Sequence, residues 1–310
     1  MPKQSLAFGA GSDSGLPTIT REESWVMKRA LCIAMFASVL MTLNGRGFAG
    51  AAKEDVEPLR AGRNFVETKV YSEEEDQNVL ALFKGLRVSD VCDGMDAVGL
   101  QNIGLMEPDI RPLWTDTKNY SHRVVGVAVT ARWIPSQKPP AGKMPVAEFD
   151  KWYKYWYSTY APEAFKPILR KGTVLVTDNA AGGRVDVGPI GSNNSMSWRT
   201  AGCVGVVTNG TARDTDELMK QGLPVYFKRV GRGIRPGRIE MESVNRPVVV
   251  GGVLVMPGDV IVADGDGVIV VPRAVAEDVA KYAEGILAGD KAGRRGLYKK
   301  LGLPEDNSVK

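Results

Sequence analysis

Two short groups of residues carry types that could do chemistry together. Arg213 and Asp214 are adjacent. An aspartate can hold a divalent cation almost alone, because Mg²⁺ keeps several of its waters and often takes only one or two protein carboxylates. An arginine grips a carboxylate or oxyanion with two parallel N–H donors. Upstream, Gly191, Ser192, Asn193 and Asn194 offer backbone N–H groups and short polar side chains near a predicted helix N-terminus, which favours anions. A cation beside an anion grip suits the cleavage of a carbon–carbon bond. Retro-aldol cleavage leaves a pyruvate enolate, whose charge must be stabilised by a Schiff-base lysine or by a divalent cation at the keto oxygen and carboxylate. By residue type alone, simpler uses are the ordinary ones: Asp214 as the N-cap of a following helix, Arg213 in a surface ion pair.

The surrounding pattern says what must position these groups. Gly191 to Pro224 reads as a short helix over about 195–201, a stop at Gly202, a buried strand at Val204–Thr208, an Asn209-Gly210 turn and a helix from about Thr215. Arg213-Asp214 therefore falls in a loop between strand and helix, the usual place for chemistry in α/β proteins. Upstream, Ser72 to Glu75 has capping-box spacing before a helix, and a second helix starts near Ser89 and stops at Gly99. Val124–Arg132, Thr173–Thr177 and Val225–Lys228 read as strands, and three β-runs share 248–271. A helix over 274–288 and a basic, peripheral tail complete the chain.

The passage Gly191–Asn194, Gly205–Gly210 (GVVTNG), Arg213-Asp214 and Gly258–Pro272 (GDVIVADGDGVIVVP) resembles the RraA-like family. Weaker echoes are Ser89–Gly99 and Val124–Arg132, so the resemblance spans roughly 73–288 in order. The family includes class II 4-hydroxy-4-methyl-2-oxoglutarate aldolases and the regulator of ribonuclease E activity, and its members are often labelled demethylmenaquinone methyltransferase. The resemblance implies an α/β fold, the RraA-like swivelling β/β/α domain, in a trimer or dimer of trimers with sites near subunit interfaces. It implies that Asp214 binds Mg²⁺ or Mn²⁺, and that Arg213 with Gly191, Ser192, Asn193 and Asn194 binds a small oxo acid. It makes Arg213 and Asp214 the catalytic pair of a lyase that releases pyruvate. One position departs from the family. Its aldolases carry an acid 21 positions before the arginine, and Ser192 stands there. Serine cannot ionise for proton transfer. Oxaloacetate decarboxylation needs the same enolate stabilisation but no base for a hydroxyl proton, so it tolerates the serine better. The alternative is a non-catalytic binding or regulatory protein on the same scaffold.

Composition narrows the class. With 310 residues, 44% hydrophobic and 25% charged, the chain has the make-up of a soluble globular protein. Lys28-Arg29, the apolar run Ala30–Leu43 and the small residues Ala49-Gly50-Ala51 follow the order of a secretory signal peptide. That apolar run falls short of the about 20 residues a bilayer requires. Residues 1–26 precede it as a non-native leader or a misassigned start, 27–51 form the signal, and 52–310 form one domain. Losing residues 1–51 removes five basic and three acidic residues from 40 and 36, leaving about +2, so nucleic acid is no obvious partner. Cys92 and Cys203 remain, and Cys203 begins a strand where a buried thiol is commonplace.

Other motifs yield bland readings. Asp90, Asp93 and Asp96 lack a nearby His or Cys and read as capping or solvated carboxylates. Asp178 to Gly183 has neither dinucleotide nor P-loop spacing, and it should lie beside Gly191–Asn194. No glycine-rich loop suits S-adenosylmethionine, which argues against a methyltransferase. The segment near 139–170 holds Trp152, Tyr153, Tyr155, Trp156, Tyr157 and Tyr160, and reads as an insertion packed as an interface or lid. Arg229, Arg232, Arg235 and Arg238 read as surface cations paired with a neighbouring subunit's carboxylates or with solvent.

Overall fold

Short runs of Val, Ile and Thr become strands because branched side chains fit a pleated, buried surface. A computed structural model describes residues 57–179 and 186–310. The helices are α1 (Glu73–Leu82), α2 (Val88–Ala97), α3 (Val146–Thr159), α4 (Ser192–Thr200), α5 (Thr215–Gln221) and α6 (Ala276–Leu301). The strands are β1 (Arg111–Pro112), β2 (Val124–Pro135), β3 (Thr173–Asn179), β4 (Cys203–Thr208), β5 (Thr211–Ala212), β6 (Val225–Phe227), β7 (Arg229–Val230), β8 (Ile239–Val244), β9 (Val248–Val250), β10 (Val253–Val255), β11 (Val260–Asp264) and β12 (Gly267–Val271). They belong to a unit spanning Val66–Lys310, and the unit before it contributes one described helical turn, Glu57–Arg60. The predicted leader and signal, residues 1–51, lie outside the described residues, as does most of the Asp178–Gly183 loop.

The main sheet runs β1-β6-β4-β3-β2-β11-β12, with β8 on the far half of β2. β2, β3, β4 and β6 are parallel, whereas β1, β8, β11 and β12 pair antiparallel. Its two edges nearly meet. Met106 N donates to Val268 O (3.1 Å) and Val270 N to Gly104 O (2.9 Å), and the same stretch of chain then enters β1 on β6. Arg111 Nη1 reaches back to Gly265 O (3.3 Å) in the β11–β12 turn. The sheet is thus a nearly closed barrel.

Alternation along each strand divides the core, since successive side chains point to opposite faces. Val124, Val174, Val176, Val207, Tyr226, Ile261 and Val270 fill the interior, which the β9–β10 hairpin covers with Val248, Val250, Val253 and Val255. The outward residues of β11 and β12 pack on α1, α2 and α6. Those of β3, β4 and β6 pack with Trp133, Trp156, Phe165 and Trp198.

Several expectations hold. Ser72 and Glu75 form a reciprocal capping box (Glu75 N to Ser72 Oγ 3.1 Å; Ser72 N to Glu75 Oε2 2.7 Å). Asp90 accepts from Arg87 N at 3.0 Å and pairs with the Arg87 guanidinium, the capping use its position indicated. Four expectations need correction. The helix before Gly202 begins at Ser192, not 195, because Asp214 caps it from outside (below). The run 248–271 holds four strands, since Gly251 and Gly252 adopt φ of 56° and 76° and close a two-residue hairpin. The last helix does not stop near 288. It continues to Leu301, and the tail folds back on it: Arg295 Nη2 donates to Val309 O (2.5 Å) and Val309 is fully buried. Finally, the arginine run is not uniformly superficial. Arg232 pairs with Asp186, and Arg235 is 1% exposed.

Candidate functional site

Arg213 and Asp214 leave the short strand β5, which the 187–190 segment flanks through a parallel bridge between Ile190 and Ala212. Arg213 N donates to Ile190 O at 2.8 Å and fixes the two stretches together. The approach is close at both glycines, against the root of Arg213 at Gly188 and against the movable end of Asp214 at Gly191. A Cβ at Gly188 would lie 2.6 Å from Arg213 Cβ, and one at Gly191 would lie 2.7 Å from Asp214 Oδ2.

Asp214 stands at the N-cap position of α5 but makes no side-chain cap there. Its backbone is left-handed (φ 54°, ψ 43°), a region that non-glycine residues seldom occupy and Asp and Asn tolerate best. That twist turns the carboxylate away from its own helix and onto the start of α4. Oδ2 accepts from Ser192 N (3.1 Å) and Ser192 Oγ (3.2 Å). A carboxylate at a helix N-terminus satisfies an orphan donor and meets the positive end of the helix dipole. The other oxygen, Oδ1, faces Arg213 Nε at 3.7 Å, an ion-pair distance too long for a hydrogen bond. Both side chains are partly open to solvent, 29% for Arg213 and 36% for Asp214.

Of the predicted site residues, the structure brings Gly191, Ser192, Arg213 and Asp214 into direct contact. Gly191 is the N-cap of α4, and Ser192–Asn194 are its first turn rather than a loop. Asn193 is exposed. Asn194 donates from Nδ2 to Glu163 Oε1 (2.6 Å). Glu163 also accepts from Arg235 Nη2 (2.7 Å) and Trp198 Nε1 (2.8 Å). Sequence reasoning missed Glu163 and Arg235. Arg235 resembled its three exposed-looking neighbours in the run, and Glu163 followed an aromatic stretch with no motif of its own. Tyr157, from the aromatic helix α3, completes this side. Burial raises its phenol pKa, while the guanidiniums of Arg235 and Arg213 pull it back.

The donor set can be tested against a divalent cation. Among the described residues no group of three His, Cys, Asp or Glu side chains converges. A Zn²⁺ site of three or four protein ligands is therefore a poor fit among them. A single carboxylate, 36% exposed and with no hydrogen bond to its Oδ1 among the described residues, fits Mg²⁺ or Mn²⁺, which bring their own water. A separate cleft of about 340 Å³, lined by Lys69, Tyr71, Asp76 and Arg170, is a weaker candidate. Its charges are already matched: Asp76 bonds Arg170 Nη2 (2.5 Å) and Arg273 Nη1 (2.9 Å).

Comparison with known proteins agrees with this architecture. The chain is 24% identical over 203 residues to Protein DlpA of Legionella pneumophila, covering 65% of this chain and 29% of that protein. It is 33% identical over 100 residues to a protein of Halalkalibacterium halodurans named "Putative 4-hydroxy-4-methyl-2-oxoglutarate aldolase", covering 32% of this chain and 47% of that one. The chain thus spans under half the length of these two relatives. Its fold matches the crystal structure of Streptomyces coelicolor RraAS2, described as an unusual member of the RNase ES inhibitor RraA protein family. The TM-score is 0.55 at 22% identity, over 74% of this chain and 98% of that one. The family model for RraA-like proteins (Aldolase/RraA) matches residues 88–270, more than half of the chain and all of the Arg213-Asp214 region. The chain belongs to the RraA-like family, and its fold is the RraA-like α/β fold.

Proposed function

We propose that this protein is a divalent-cation-dependent carbon–carbon lyase that releases pyruvate from a small oxo acid. The observation that carries the reading is Asp214. A carboxylate held in a left-handed backbone, turned off its own helix and left with one oxygen open beside a guanidinium, is costly for a mere cap and useful for a cation. The relatives named as aldolases support the same class.

A bound Mg²⁺ or Mn²⁺ would supply Lewis-acid stabilisation of negative charge on the substrate. Asp214 would hold it, its carboxylate kept in place by Ser192. Arg213 grips the oxo-acid carboxylate, and the first turn of α4 presents N–H groups and Asn194 to the anionic end. No side chain at 192 can take a proton. Oxaloacetate, whose decarboxylation needs no base for a hydroxyl proton, is therefore the preferred substrate over 4-hydroxy-4-methyl-2-oxoglutarate. Ser192 is also what favours the second reading, a non-catalytic binding protein. Pyruvate release measured on both substrates, with Mg²⁺ and then with EDTA, tests the first reading. No release from either favours the second.

The family resemblance supports a homo-oligomer, a trimer or a pair of trimers. The order of basic, apolar and small residues in 27–51 supports export to the periplasm or beyond.

A further inference from the structure

The cluster behind the first turn of α4 lies outside the proposed chemistry, yet it is built with care. Glu163 comes a few residues after the aromatic helix α3 and gathers three donors: Asn194 Nδ2, Arg235 Nη2 and Trp198 Nε1. Arg235 is almost fully buried, with its guanidinium 4.7 Å from the Trp133 ring centroid and 5.4 Å from that of Tyr157. It also donates to Pro189 O, from Nη2 at 2.8 Å and Nε at 3.3 Å. One ion pair thus ties the backbone two residues before Gly191 to the side chain three residues after it.

The pair also settles how Asn194 is turned. A carboxylate oxygen accepts, so the amide points Nδ2 at Glu163, and the second Nδ2–H is left to donate to an anion. A buried guanidinium without that carboxylate would be an uncompensated charge, so the arrangement has few alternatives. Packing alone asks for no polar network here. Trp133, Phe165 and Trp198 already form an apolar core around it.

We propose that Glu163 and Arg235 are positioning residues for the oxo acid. They hold the Pro189–Gly191 backbone and the Asn194 amide in the one orientation that meets the substrate's anionic end. The aromatic segment between β2 and β3 is the scaffold that delivers Glu163 to this place. The inference rests on the proposed lyase reading in one respect, that Asn194 touches substrate. Neither residue touches Asp214, so the cation should be indifferent to both.

The test measures pyruvate binding in the presence of Mn²⁺ by calorimetry, and KM and kcat for oxaloacetate, on the full chain. The variants are Glu163→Gln, Asn194→Ala, the double variant, and Gly94→Ala as a destabilised control remote from the cluster. Glu163→Gln and Asn194→Ala should each weaken pyruvate binding and raise KM about tenfold, with kcat and Mn²⁺ affinity little changed. The double variant should be no worse than Asn194→Ala alone, because one residue acts through the other. Gly94→Ala should lower Tm and leave KM unchanged. If Glu163→Gln folds poorly, Arg235→Lys, which keeps the charge but loses the fork, should show a smaller rise in KM. Unchanged pyruvate binding in these variants, or losses that multiply in the double variant, would overturn the proposal. Native protein that binds pyruvate but does not turn over oxaloacetate would refute the lyase reading alone. Native protein that binds no pyruvate would refute both.

Discussion

Asp214 combines two properties that separate under mutation, a left-handed backbone and a carboxylate shared between Ser192 and open solvent. Asparagine tolerates the backbone and removes the charge, so Asp214→Asn should keep native stability and lose Mn²⁺ binding. Asp214→Ala should lose Mn²⁺ binding as well and also cost about 1–2 kcal/mol, the penalty of a Cβ in the left-handed region without compensating polar contacts. Denaturant titration of both variants distinguishes the two effects, and equal stability of the pair would count against the strain argument. Gly191 works differently. Its φ of −141° suits any residue, so Gly191→Ala should fold normally. Its new methyl would meet Asp214 Oδ2 and push a flexible carboxylate aside, weakening Mn²⁺ binding with a stability change below about 1 kcal/mol. A variant with native Mn²⁺ affinity would show that Oδ2 need not stay on Ser192.

Elements were legible in the sequence where local chemistry decides them. The Ser72 capping box, the Gly99 stop and the strands begun at Val124, Thr173 and Val225 needed only short windows, and the structure places them there with ends shifted by one to three residues. Legibility failed where a distant partner decides. The start of α4 depends on Asp214, 22 residues away, so Ser192 looked like loop. The burial of Arg235 depends on Glu163, 72 residues away, and no window of sequence contains both. The length of α6 was obscured by Gly285, Gly289, Gly293 and Gly296, where an added Cβ would meet nothing, so glycine there marks open space rather than an end. Gly94 is the opposite case. It lets α2 approach α6 so closely that a Cβ would lie 2.6 Å from Val279 O. Gly94→Ala must move one helix against backbone and should cost about 1–3 kcal/mol in thermal or chemical unfolding. A neutral result would mean that the two helices have room to separate.

At the scale of the whole molecule, the nearly closed barrel has one histidine to report on its stability. His122, the single histidine, is buried, and its Nδ1 accepts from Asp116 N at 2.9 Å. Burial, aided by Arg123 and opposed by Asp264 and Asp116, holds its pKa below the usual 6.5. The unfolded chain therefore binds a proton before the folded one does. Stability is complete above about pH 6.5 and should fall as pH drops through the folded value. His122→Gln should flatten that loss between pH 7 and 5, and the lone imidazole resonance gives the folded pKa directly by NMR. Parallel pH profiles for the two proteins, or a resonance titrating above 6.5, would contradict this. The same scale limits what the family resemblance conveys. It accounts for the barrel and the parallel strands, while the aromatic segment and Ser192 are where the proposed chemistry would depart from that of an aldolase.

The central claim is that Asp214 holds a cation that drives carbon–carbon cleavage. Its most direct test is the rate of pyruvate release from oxaloacetate by native protein and by Asp214→Asn at matched folding, each with Mn²⁺ and with EDTA, after subtraction of the rate due to Mn²⁺ alone. The account predicts release that requires both the metal and Asp214. Release that persists in EDTA, or an Asp214→Asn variant as fast as the native protein, would contradict it.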